Sequence, residues 1–249
     1  MKWWLNLYFA EGPGIAKDLP RATGLRLVWQ TIAREWWNLI ILNVVFITAS
    51  LPIVTIPAAY AAMVRVTATM VEDEPCEPWR DFREAFITLL LPSLSLSLLC
   101  AAMVGLGAAA TRAYAQAATE SLAFAVPLAI AAAFLGLVTL FTTFAFTLLA
   151  TQRPLLPHLL KAAAIAVLVR PLPVLAALGA NAALWVFHIA AYPSTILLAV
   201  LVNFSFGTLL ITFATLATAQ ASLAYARSRN EEERIKTIPP IQTGATASN

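Results

Sequence analysis

Two histidines, a serine triplet and thirteen carboxylates are the residues of this chain whose types suit catalysis. His188 lies in one apolar run and Ser93, Ser95 and Ser97 in another, so a serine nucleophile with a histidine base is an arrangement to weigh. No glycine motif flanks the serines, and polar side chains inside membranes usually bond across helices, which makes His188 a structural residue on this reading. His158 and His188 are far apart and form no HExxH pair, so zinc has no ligand set. There is no glycine-rich loop ending in Lys and Ser or Thr to cradle a nucleotide phosphate. Between Ala85 and Asn230 the single acid is Glu120, and none sits inside an apolar run. An aspartyl membrane protease needs two such acids, and ion-coupled carriers use buried carboxylates as relays. Backbone carbonyls at a broken helix remain as cation ligands in principle. Cys76 in a charged loop and Cys100 in an apolar run cannot meet. The chain is therefore expected to be non-enzymatic, with no catalytic residue, cofactor or metal.

The elements that would position any site are membrane helices. Of 249 residues, 60% are hydrophobic and 12% charged, with mean hydropathy +0.79, against roughly 25% charged in soluble domains. Apolar runs occupy residues 36–51, 53–71, 86–110, 122–150, 171–191 and 194–225, each near the length that crosses about 30 Å of hydrocarbon. The fold class is all-α, a polytopic transmembrane helical bundle of about six spans, five in the alternative. Residues 1–35 read as a cytoplasmic segment, 36–225 as the membrane domain and 226–249 as a disordered cytoplasmic tail. In the first segment Leu25, Val28, Trp29, Ile32 and Trp36 share one helical face, which predicts a short amphipathic helix lying in the headgroup region. The N-terminal apolar patch, interrupted by Asn6, reads as retained rather than cleaved. Residues 151–170 have an apolar middle and carry Arg153, Lys161 and Arg170; 155–170 are placed at the interface, with a shallow membrane helix as the alternative. The net charge of +3 sits beside membrane runs, so the partner it implies is the lipid bilayer, with no nucleic acid.

The stretch 43–66, NVVFITASLPIVTIPAAYAAMVRV, decides the topology. If Pro52 marks a turn, the chain crosses six times. One side then receives the basic residues of the N-terminal segment, of the loop with Arg80 and Arg83, of Arg153–Arg170 and of the tail; the other receives only Arg112. The ratio is 14 to 1, with Arg65 inside the second span. One broken span gives 6 to 10 instead. The positive-inside rule favours the hairpin, with both termini cytoplasmic in the inner membrane. Pro52 disfavours helix at Leu51, and Pro57 falls in the first turns of the next helix, where its missing N–H costs little. Asn43, Pro52, Thr55, Pro57 and Arg65 are the candidate positions in this region. A small-molecule transporter or channel would place its pathway along them. Asn43, Asn181 and Asn203 otherwise read as interhelical packing polar groups, and Gly105, Ala109, Gly179 and Ala183 as close-contact positions. In EPWRDFREAF, Trp79, Asp81, Phe82 and Phe86 combine charge with aromatic residues at helical spacing and form a candidate partner-docking surface.

The segments FAEGPGIAKDLP, LNVVFITASLPIVTIPAAYAAM and WRDFREAF, spread over residues 8–90, resemble the YesL-like family of bacterial integral membrane proteins, a domain of unknown function. The matching positions are Gly12, Pro13, Gly14, Lys17, Asp18 and Pro20; Asn43, Phe46 and Leu51 to Pro57; and Asp81, Phe82, Ala85 and Phe86. The C-terminal half is similar in hydropathy only. Genes of that family often stand beside carbohydrate ABC transporters, so the resemblance implies an accessory role in transport with ABC transporter subunits as partners, and it implies no catalytic residue.

Overall fold

The computed structural model describes residues 24–237. The GPG and Lys17-Asp18 motif positions lie outside them. Seven α-helices follow in order: α1 (Leu25–Ala49), α2 (Ile56–Glu72), α3 (Pro78–Glu120), α4 (Ala125–Gln152), α5 (Leu156–Val169), α6 (Pro171–Ala190) and α7 (Ile196–Thr237). Short 3-10 turns at Ile53–Thr55 and Leu122–Phe124 precede α2 and α4. The described residues contain no strand, and six helices are long and apolar enough to cross a membrane.

The stretch 43–66 is two helices. Ala49 closes α1, Pro52 is extended and α2 starts at Ile56. The two helices run antiparallel, because Thr55 bonds the Ala49 carbonyl at one end while Arg34 bonds the Met70 carbonyl at the other. A hairpin turn at Pro52 is the observed connection.

The expected interfacial helix is not a separate element. With no Gly or Pro between Leu25 and Ala49, nothing interrupts the backbone ladder, and the amphipathic stretch forms the first turns of α1. The tail also departs from expectation: α7 runs on to Thr237, since the Glu-rich stretch after Asn230, with Arg234 and Lys236, is mostly good helix formers. Residues 238–249 lie outside the described part.

The core forms around α2, where ten residues from Ala58 to Met70 are each buried to 1% exposure or less. Alanines dominate this helix, and a slim side chain lets neighbouring backbones approach closely. Around it stand α1, α3, α4 and α7, with α5 packed on α4 and α7 and α6 mainly on α7. The outward faces carry exposed Leu, Val, Ile and Trp, the inverse of a water-soluble bundle.

The helices differ in height. Tyr60 stacks edge-on against Phe146 and Arg65 reaches Thr151, a constant offset that sets Ile56 level with about Thr142. The first turns of α4 extend past the start of α2 by about 25 Å, and the part of α3 that Phe134 and Leu135 meet at Gly107 by about 11 Å. At the other end α5 turns across the bundle. Its start follows Thr151, beside Arg65, and Arg170 at its end lines a groove with Tyr225, so both ends lie at the polar rim.

Candidate functional site

The open end of the α1–α2 hairpin is built from opposite charges. Arg34 Nη1 lies 2.6 Å from Asp73 Oδ1, Nε lies 2.8 Å from Glu35 Oε1, and Nη2 donates to the Met70 carbonyl at 3.0 Å. That carbonyl belongs to the last turn of α2, and its backbone partner there, the Asp73 N–H, is long at 3.4 Å. Asp73 adopts φ 63°, a left-handed cap that Asp accepts more readily than most residues. Asn38 Nδ2 donates to the second oxygen of Glu35 at 2.7 Å. Cys76 is half-buried beside this group; burial first, then the charges of Asp81 and Glu35, push its thiol up to about 12.

At the closed end, the Thr55 hydroxyl bonds the carbonyls of Ala49 and Pro52, both at 2.6 Å. Pro57 occupies the first turn of α2, as the sequence predicts. Pro52 and Thr55 therefore shape the turn itself. Leu51, Ile53 and Val54 stand exposed at its tip.

Asn43 is fully buried and holds α7 with both ends of its amide. Its Nδ2 donates to the Val200 carbonyl, and its Oδ1 accepts from the Ser205 backbone N–H at 2.9 Å. Arg65, half-buried, donates Nη1 to the Thr151 carbonyl at 3.3 Å. Thr151 sits in the last turn of α4, where carbonyls are unpaired and a cation is favoured. The two residues expected beside a pathway are thus engaged in holding helices together.

A polar seam that sequence reasoning missed runs along α7. Ser205, Thr208, Thr212, Thr215, Ala219 and Ser222 alternate three- and four-residue steps and are all buried. Thr212 bonds the Thr67 hydroxyl of α2 and Thr215 the Thr147 hydroxyl of α4, each at 2.9 Å. The signal was a small-residue heptad spacing, obscured in a run where almost every residue is apolar or small. Farther down, Gln220 Nε2 donates to Glu72 at 2.9 Å.

Other candidate positions fall differently. Gly105, Ala109, Gly179 and Ala183 are exposed, and a Cβ added at Gly105 or Gly179 meets nothing within 4 Å. The tight approach is at Gly207, where a Cβ would run into the side-chain amide of Asn181. Asn181 Oδ1, both amide atoms of Asn203 and His188 Nδ1 are buried without a hydrogen-bond partner among the described residues. Ser93, Ser95 and Ser97 donate to carbonyls of α3 itself, so the structure does not bring them to His188.

The docking surface is also corrected. Phe82 is 3% exposed and stacks on half-buried Phe86 at 6.1 Å, because this face of α3 packs on the core. Asp81 accepts from the Glu77 N–H at 2.9 Å and stabilises the first turn of α3. Trp79 remains exposed, beside a groove of about 270 Å³ shared by Val45, Ala49, Arg83 and Phe86. The described residues hold no cluster of His, Cys, Asp and Glu that suits a metal.

No curated protein and no solved structure matches the chain. A family model described as "Protein of unknown function, DUF624" matches residues 39–108, from the middle of α1 to the upper part of α3. DUF624 is the YesL-like family, so the segment of this multi-pass membrane protein that holds the hairpin turn, Asn43 and Phe82 matches the family its sequence resembles.

Proposed function

We propose that the protein is a non-enzymatic accessory component of a membrane transport system, of the carbohydrate-uptake class that the family resemblance implies. It lies in the inner membrane with both termini in the cytoplasm, the side that the Lys and Arg distribution assigns. One observation carries the reading. The upper half of the α3–α4 pair rises past the hairpin and exposes Leu106, Leu122, Val126 and Ile130, while Asn43, Arg65 and Thr212 inside the bundle are spent on helix contacts. Such a division suits a protein that fastens to other membrane subunits and performs no chemistry of its own.

Affinity capture of the intact protein in mild detergent tests it. Repeated recovery of ABC transporter subunits, lost when Leu106→Arg and Ile130→Arg are introduced together, is the expected result. A protein that purifies alone and moves solute in liposomes overturns the reading.

A further inference from the structure

A groove of about 510 Å³ opens between the α5–α6 junction and the lower part of α7. Ile165 and Val169 line its apolar part, and Thr218, Ser222, Tyr225 and Arg170 its polar part. Thr218 and Ser222 stand one turn apart on α7, are 7% and 4% exposed, and make no hydrogen bond among the described residues. Arg170 is exposed and no carboxylate of the described residues pairs with it. Three other arginines are engaged, Arg34 with Asp73, Arg65 with the Thr151 carbonyl and Arg153 with Thr88. The groove lies at headgroup depth, since Gln220, between Thr218 and Ser222, pairs with Glu72 at the polar rim.

We propose that this groove binds one anionic phospholipid. The phosphate pairs with the Arg170 guanidinium, the buried hydroxyls of Thr218 and Ser222 and the Tyr225 phenol serve the glycerol and ester oxygens, and an acyl chain follows Ile165 and Val169. A basic group between membrane helices at headgroup level is the usual feature that selects anionic lipid. Apolar walls continuous with the cation distinguish a lipid from a free phosphate, which has no use for them.

The test is native mass spectrometry of the full chain, purified in mild detergent, titrated with dioleoyl phosphatidylglycerol or dioleoyl phosphatidylcholine. Wild-type protein retains one phosphatidylglycerol in preference to phosphatidylcholine. Arg170→Gln lowers that retention about fivefold, the loss expected of one basic residue near an anionic lipid, whereas Arg153→Gln leaves it unchanged. A photoactivatable phosphatidylglycerol crosslinks wild-type residues 217–225, a readout independent of whether the Arg170 variant folds. Equal retention of the two lipids, wild-type retention by Arg170→Gln, or crosslinks confined to other helices overturns the proposal. Displacement of the lipid by inorganic phosphate alone assigns the groove to a free anion and overturns it too.

Discussion

Arg34 and Asp73, thirty-nine positions apart in sequence, meet at 2.6 Å and fasten the open end of the α1–α2 hairpin. Both side chains are partly exposed, so the ion pair is worth about 1 kcal/mol or less. The same guanidinium also donates to the Met70 carbonyl at 3.0 Å, a shorter bond than the 3.4 Å one from the Asp73 N–H. Arg34→Gln should therefore lower stability by about 1–2 kcal/mol, and Asp73→Asn, which keeps a residue tolerant of φ 63°, by less. Thermal unfolding in detergent measures both. An Asp73→Asn loss as large as that of Arg34→Gln contradicts the weight given to the carbonyl bond.

Asn43→Leu should destabilise more. It removes two hydrogen bonds that tie α1 to α7, about 0.5–1.5 kcal/mol each. Hydrogen exchange of α7 amides near residue 205 should rise with the substitution. Unchanged exchange there shows that Asn43 does not secure α7.

Gly207→Ala drives a methyl group into Asn181. Overpacking of this kind costs about 1–3 kcal/mol, while Gly179→Ala on the facing helix adds a Cβ to open space and should be neutral or slightly stabilising. The pair of variants, compared by midpoint of unfolding, separates helix propensity from close contact. Equal effects refute the contact.

Cys76 should react slowly with maleimides although it sits in a loop. The thiolate is the reactive form, and a thiol pushed up to about 12 by burial and by Asp81 and Glu35 holds little of it at neutral pH. Its rate should climb about tenfold per pH unit up to that value. Removing a negative neighbour lowers the thiol value, so Asp81→Asn should speed labelling at fixed pH. A rate equal to that of a free thiol at pH 7.5 refutes the assignment.

For the same reason sidedness is better read from Glu74→Cys, which is exposed, in a Cys76→Ser background. That position should label from the cytoplasm and Ser50→Cys from the opposite side. Labelling of both from one side excludes the six-span orientation.

The hairpin was legible because topology is encoded in discrete charges: fourteen basic residues on one side against one is a strong signal, whatever the side chains do. Pro57 was legible for a similar local reason, since a proline suits the first turn of a helix. Side-chain direction was not. Phe82 and Trp79 are three residues apart and equally aromatic, yet one enters the core and the other stays exposed, which depends on how α3 leans on α2. The glycines show the same limit. Gly105 and Gly207 are indistinguishable as letters in an apolar run, and only the partner helix makes one of them tight. The separate interfacial helix failed because amphipathic periodicity marks a face and carries no information about where a helix stops.

The unequal heights of the helices leave this protein without one natural waterline. A flat hydrocarbon slab about 30 Å thick that ends at Leu51 and Ile53 strands Leu106, Leu122 and Ile130 above it. A slab raised to cover those three submerges the hairpin tip. Mismatch costs fractions of a kcal/mol per Å, which over the rise of about 18 Å to Ile130 is a substantial energy borne by whatever surrounds α3 and α4. Membrane thickness would then decide how much of the α3–α4 pair is covered, and a neighbour wrapped around the taller pair would relieve the mismatch.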